Sequence, residues 1–193
     1  MIVFVEGLPC VGKTTWLNSI SNTPSISVVP EFLLSYEPTK YTSFDSYCYH
    51  NDIAKCKLAK ELSVENKVVF VDRSYISTIS FDYGRYMLLS SYENYLKYIL
   101  CWKWLYSSLD SNKIQLPDVI VLLTFNEESR LKRLHKVFLD PLDPRTPSMS
   151  NPFYACPDKV ITFYDIFKES FKSVDFVKLD SSTINQYFAA LVS

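Results

Sequence analysis

Three short stretches of the chain are apolar without a break: Ile2-Val3-Phe4-Val5, Val68-Val69-Phe70-Val71 and Val119-Ile120-Val121-Leu122-Leu123. A strand with one wet face alternates apolar and polar residues. Unbroken runs this short therefore predict parallel strands covered on both faces. Ser27-Val28-Val29 and Phe176-Val177-Lys178-Leu179 are weaker candidates for two further strands. Helix-length stretches lie between and after the runs: Lys13 to Ser21, Tyr47 to Leu62, Glu93 to Leu109, Glu127 to Lys136 and Asp158 to Lys172. Strands alternating with helices imply right-handed crossovers. The expected fold is α/β, a doubly wound parallel sheet of about five strands flanked by helices. With no internal repeat in its 193 residues, the chain is expected to form a single domain, 1–193.

Two segments depart from this rhythm. Glu93 to Leu109 carries Tyr95, Tyr98, Trp102, Trp104 and Tyr106 and is apolar nearly all round. That predicts a helix deeply buried in the monomer, or one that contributes to a dimer face. Phe138 to Pro157 contains Pro141, Pro144, Pro147, Pro152 and Pro157. It is long for a connector in a compact domain, so it reads as a functional flap or a locally disordered segment. A lid over about 134–157 is the expectation.

The strongest chemical signal follows the first strand. Gly7-Leu8-Pro9-Cys10-Val11-Gly12-Lys13-Thr14 fits G-x-x-x-x-G-K-[ST] at every fixed position, and Thr15 continues into a helix-compatible stretch. The strand–loop–helix context matters more than the match itself. A polyphosphate needs several N–H donors converging on it. A loop curled toward a helix N-terminus supplies them together with a favourable dipole. Gly7 and Gly12, two of only three glycines in the chain, let the backbone wrap closely around an anion. Lys13 would place a point charge on the β- and γ-phosphates of ATP, and Thr14 would offer its hydroxyl to Mg²⁺.

Charge and cysteines narrow the class. A net charge of −1 supplies no basic field for DNA or membrane, so polymeric nucleic acid is not an expected partner. The five cysteines, with no CxxC pair, offer neither a disulfide framework nor a zinc site, and His50 and His135 lack metal-ligand company. No segment approaches the ~18 apolar residues of a membrane span. The opening run lacks the basic flank of a signal peptide. A reducing, cytoplasmic setting is expected.

Asp72-Arg73-Ser74 directly follows a strand, and strand C-termini line the ligand crevice of a parallel sheet. Asp72 would hold Mg²⁺, and Arg73 would orient an acceptor oxygen or brace a transferring phosphoryl group. The plainer reading is a buried Asp–Arg pair closing the strand. Glu31, after Val28-Val29-Pro30, would sit at the same rim, where a carboxylate can accept a proton from an attacking hydroxyl. Its plainer reading is an exposed turn glutamate. Arg130, Arg133, Lys132 and Lys136 share the helix at the entrance to the flap, and Arg145 lies within it. They are either cations delivered by a closing lid, with Arg133 the foremost, or a solvated face partnered by Glu127 and Glu128.

These residues resemble the deoxynucleoside kinase and thymidylate kinase group of P-loop kinases. Glu6-Gly7 through Thr15 is similar to the opening of both branches. Val29-Pro30-Glu31 resembles the deoxynucleoside kinase segment whose glutamate is the general base, and Asp72-Arg73-Ser74 resembles that branch's Glu-Arg-Ser. Ser43-Phe44-Asp45-Ser46-Tyr47 is similar to the segment that holds the nucleobase, with Asp45 where that branch carries glutamine. Phe44, Asp45 and Tyr47 are thereby implied as substrate contacts. Asp72 through Thr78, followed by Phe81-Asp82-Tyr83-Gly84, instead resembles the thymidylate kinase Asp-Arg motif and its aromatic-Gly turn. The arginine with which that branch grips an acceptor phosphate has no counterpart near Asn51-Asp52. The resemblance implies transfer of the γ-phosphate of ATP to the 5′-hydroxyl of a (deoxy)nucleoside, or to a nucleoside monophosphate, and a homodimer. Phosphorylation of another small hydroxyl compound and a non-enzymatic nucleotide-binding module remain the alternatives.

Overall fold

The computed structural model describes the chain except for Pro38, Phe125, residues 140–150, Ser181 and Ser193. Arg145 and the middle of the expected lid, 140–150, lie outside the described residues. Five strands, β1 (Ile2–Glu6), β2 (Ile26–Val29), β3 (Val68–Asp72), β4 (Val119–Leu123) and β5 (Asp175–Leu179), form one sheet in the order β2-β3-β1-β4-β5. Every neighbouring pair is parallel. The helices are α1 (Lys13–Ile20), α2 (Phe44–Glu65), α3 (Tyr75–Leu89), α4 (Tyr92–Asp110), α5 (Glu127–Leu139), α6 (Pro152–Ala155), α7 (Pro157–Ser170) and α8 (Ile184–Val192).

The three continuous apolar runs are the central strands. Val3, Phe4, Val5, Val69, Phe70, Val71, Ile120, Val121 and Leu122 are each at most 1% exposed. Burying a side chain of this size contributes about 1.5–3 kcal/mol, so the middle of the sheet dominates the core. β2 and β5, the two weak signals, are the edge strands and only partly buried. Edge position removes the pressure for an unbroken apolar run.

β1 lies between β3 and β4. The chain leaves β1 for one edge and, after β3, crosses back to the other side. The winding therefore reverses at the C-terminal end of β1, which is where doubly wound sheets open their ligand crevice.

Two expectations change. Phe81-Asp82-Tyr83-Gly84 is not a turn but the middle of α3, capped by the Ser74 hydroxyl on the Ile76 N–H. Gly84 is needed there for packing. A Cβ at this position would come within 2.8 Å of both Pro152 Cβ and Val160 Cγ2. The aromatic helix α4 is not deeply buried either. Cys101 and Leu105 face the core, while Tyr92, Tyr95, Leu96, Ile99, Leu100 and Tyr106 are exposed.

Replacing Gly84 by alanine should destabilise the protein. Alanine gains about 1 kcal/mol of helix propensity. Overpacking against a rigid proline ring and a branched valine costs about 1–3 kcal/mol. Urea denaturation should show a lower midpoint for Gly84→Ala, and an unchanged or higher midpoint would mean that α3 and α6 separate easily.

Candidate active site

The loop after β1 is shaped by its two glycines. Gly7 has φ 135° and passes so close to β4 that an added Cβ would lie 2.7 Å from the Leu123 carbonyl oxygen. Gly12, at φ 101°, precedes α1, whose first turn has no side-chain cap. Those N–H groups are open to an anion. Cys10 also takes a left-handed conformation, at φ 65°. Leu8 is fully buried, while Pro9, Cys10, Thr14 and Thr15 line the cleft above the loop. Lys13 is 5% exposed and donates to the carbonyls of Gly7 and Leu8 at 2.9 Å. Burial, followed by the neighbouring Arg73, lowers its pKa from 10.5 to about 7.

Thr14 reaches across to β3, its hydroxyl donating to Asp72 Oδ2 at 2.6 Å. Asp72 Oδ1 is buried and has no hydrogen-bond partner among the described residues. A hydroxyl and an uncommitted carboxylate oxygen beside a phosphate loop suit a hard cation such as Mg²⁺. Asp72 therefore does not pair with Arg73, as the plainer reading held. Arg73 turns instead to Glu31, with Nε 3.2 Å from Oε1, and its guanidinium lies 5.0 Å from the centre of the Phe153 ring. Burial opposes the charge on Arg73, but Glu31, Tyr164, Glu6 and Asp72 outweigh it and raise the pKa.

Arg73 sits at φ 57°, a conformation disfavoured for any side chain other than glycine. Lys55, 2% exposed and on α2, holds it there. Its ammonium donates to the carbonyls of Asp72 and Arg73, both at 2.8 Å, and to that of Glu31 at 3.1 Å. Asn51, one helical turn earlier, donates to the same Glu31 carbonyl and accepts from the N–H groups of Leu33 and Leu34. The exits of β2 and β3 are thus fixed from one helix.

On the other side of Arg73, Glu6 is fully buried and accepts from the hydroxyls of Ser74, Ser77 and Tyr164. Burial raises its pKa, an effect the serine hydroxyls and Arg73 oppose.

Three hollows join into one groove. The first lies over α1, between Trp16, Thr124, Arg133, Lys136 and Asn185. It meets the phosphate-loop cleft at Cys10, Gly12 and Thr15. That cleft in turn opens, past Glu31, Arg73 and Phe153, into a cavity walled by Phe32, Phe44 and Phe81 and by Asp45, Asp52 and Asp82. Tyr47 stands behind this wall: its ring packs on Phe32 and Phe44 and its hydroxyl donates to the Leu34 carbonyl.

The basic helix α5 divides its charges. Lys132 pairs with Glu128 on the solvated face, whereas Arg130 pairs with Glu127 but is itself buried. Arg133 instead donates to the Cys10 carbonyl at 3.1 Å, at the rim of the phosphate loop. Among the described residues no cluster of His, Cys, Asp and Glu forms a separate metal site.

The structure brings Lys13, Thr14, Asp72, Arg73, Glu31 and Arg133 to one groove and adds residues that sequence reasoning missed. Lys55 and Asn51 read as ordinary polar positions of a long helix. Phe153 lay hidden in the proline-rich segment. Asp82 was assigned to a turn.

No family model matches the chain, and no curated protein is similar to it in sequence. Solved structures do share its fold from end to end. Deoxyadenosine kinase from M. mycoides with bound dATP superposes with a TM-score of 0.66 at 14% identity, covering 100% of both chains. The same enzyme with products dCMP and a flexible dCDP gives 0.57 at 15% identity, and with bound dCTP 0.54 at 14%, each covering 100% of this chain and 99% of that one. The chain therefore has the fold of these kinases.

Proposed function

We propose that the protein is an ATP-dependent kinase that phosphorylates the 5′-hydroxyl of a (deoxy)nucleoside, acting through one domain that spans 1–193. The observation that carries this reading is the continuous groove. It places a phosphate loop at one end, an aromatic-walled cavity at the other, and the Glu31–Arg73 pair where they meet. The shared fold with deoxyadenosine kinase supports it.

The phosphate loop, Gly7 to Thr15, would take the triphosphate of ATP, with the adenosine over Trp16 and Asn185. Lys13 would turn from its loop carbonyls to the β- and γ-phosphates. Thr14 and Asp72 would hold Mg²⁺, which neutralises charge on the phosphates. The acceptor would lie between Phe32, Phe44, Phe81 and Phe153, its 5′-hydroxyl toward Glu31. Glu31 takes the hydroxyl proton as the oxygen attacks. The O5′–Pγ bond forms, the bond from Pγ to the β,γ-bridging oxygen breaks, and ADP leaves. Arg73 and Arg133 stabilise the charge spread over the transferring group. A monophosphate acceptor fits less well, because among the described residues the cations lining the acceptor cavity are Arg73 and Lys55, already engaged by Glu31 and by three carbonyls. The exposed apolar face of α4 supports a homodimer, and five unpaired cysteines suit the cytoplasm.

ADP release should be stimulated by deoxynucleosides, and not by their monophosphates or unrelated alcohols. Lys13→Ala should abolish it. Glu31→Gln should lower kcat by about 10²- to 10⁴-fold if Glu31 is the base. Near-normal turnover in Glu31→Gln would remove it from the mechanism.

The lowered pKa of Lys13 has its own consequence. Above pH 7 the free protein holds Lys13 largely neutral, whereas a bound polyphosphate favours the charged amine, so binding takes up a proton. Affinity for ATP should fall by up to about tenfold per pH unit above pH 7 and, as far as Lys13 is concerned, level off below it. Calorimetry in buffers of different ionisation enthalpy checks this, and no proton uptake at pH 8 would contradict it.

A further inference from the structure

Among the described residues, the wall of the acceptor cavity remote from the phosphate loop offers hydrogen-bond acceptors with few free donors. Asp45 begins α2, Asp52 lies two turns further along it, and Asp82 projects from α3. Asp82 is 5% exposed, and its Oδ1 is buried without a hydrogen-bond partner among the described residues. Its Oδ2 accepts from the Cys101 thiol, at 3.0 Å. Burial raises the pKa of Asp82 and Asp45 adds to it, while the Cys101 thiol and, through charge, Arg85 and Lys97 counter it; Arg85 is itself engaged on the Phe81 ring and Lys97 with Glu93. Between the carboxylates sits Cys48, whose thiol is pushed up to about 12 by burial and then by Asp52, Asp45 and Asp82. It stays neutral.

Apart from the weak S–H donor of Cys48, the donors at this wall among the described residues are already committed. Ser74 and Ser77 give their hydroxyls to Glu6, and Thr78 gives its hydroxyl to Asp52 Oδ2. Lys55 and the Asn51 amide serve backbone carbonyls. Arg73 and Asn151 stand where the cavity opens to the phosphate-loop cleft, not at its far wall.

A buried acceptor left without a donor is unfavourable, and a ligand that supplies the donor removes that penalty. The group reaching this wall must therefore present N–H bonds. Thymine and uracil present carbonyl oxygens on either side of their single ring N–H, so oxygen would meet carboxylate. Adenine, guanine and cytosine each carry an exocyclic amine, which a carboxylate accepts well.

We propose that Asp45, Asp52 and Asp82 select an acceptor nucleoside whose base carries an exocyclic amino group, and reject thymine and uracil. This rests on the kinase reading above and names the acceptor class for it. A site built to hydrogen-bond one group rejects the analogue that lacks it, because its own buried polar atoms are then left unpaired.

The test is kcat/KM for deoxyadenosine, deoxyguanosine, deoxycytidine, thymidine and deoxyuridine with ATP and Mg²⁺. At least one amino-bearing nucleoside should exceed both thymidine and deoxyuridine by about 10- to 100-fold. Equal or better use of thymidine or deoxyuridine overturns the proposal while leaving the kinase reading intact. If none is phosphorylated, the kinase reading fails, and calorimetric binding of the same five nucleosides decides the proposal. Tighter binding of an amino-bearing member supports it, and equal binding or none overturns it. Asp82→Asn should lower the preference by about tenfold with ATP affinity unchanged, since one acceptor oxygen becomes a donor. Asp45→Asn, at a half-exposed helix start, makes the same test without risk to the core. An unchanged preference in both variants overturns the assignment.

Discussion

One buried ammonium organises the site. Lys55 collects the carbonyls of Glu31, Asp72 and Arg73, which belong to the exits of two adjacent strands. Burying a lysine is unfavourable in itself, and burial lowers its pKa, with Asp52 the foremost of the charges that counter it. The return is geometric. With three carbonyls tied to one nitrogen, Arg73 is held in a left-handed backbone conformation that no local preference supplies. That conformation sends the Asp72 side chain toward Thr14 and the Arg73 side chain toward Glu31.

The remaining supports act on the same few residues. Glu6 fixes Ser74 and Ser77 immediately after Arg73, with Tyr164 of α7 completing its hydrogen bonds. Gly84 lets Pro152 close against α3, which seats α6 so that Phe153 lies on the Arg73 guanidinium. The arginine is thus located by backbone, by carboxylate and by ring. In the proposed transfer, a group held from several directions would lose little freedom on meeting the developing charge, which is what electrostatic preorganisation requires.

Much of this was legible in the sequence because it depends on local pattern. The phosphate loop is specified by Gly7, Gly12, Lys13 and Thr14 at fixed spacing, and the buried strands by unbroken apolar runs. The rule that ligands meet a parallel sheet at its strand C-termini predicted that Glu31 and Asp72-Arg73 share one rim, and the structure has them together there. What stayed hidden depends on long-range packing. Lys55 looks like any surface lysine of a long helix, and only the strand exits beneath it reveal its role. α3 escaped notice because its glycine resembled a turn signal, although that glycine serves the contact with Pro152. Of the two readings of α4, a helix deep in the monomer or one on a dimer face, the first fails, because Tyr92, Leu100 and Tyr106 face outward.

The central claim is that phosphate loop and aromatic cavity are two halves of one site, joined at Glu31 and Arg73. The most direct measurement is the affinity of a single compound that links adenosine to a 2′-deoxynucleoside, 5′ to 5′, through a short polyphosphate chain. Spanning both halves, it should bind at least about a hundredfold more tightly than ATP and displace both ATP and the acceptor nucleoside. A compound that binds no better than ATP and leaves nucleoside binding untouched would show that the two hollows do not work together.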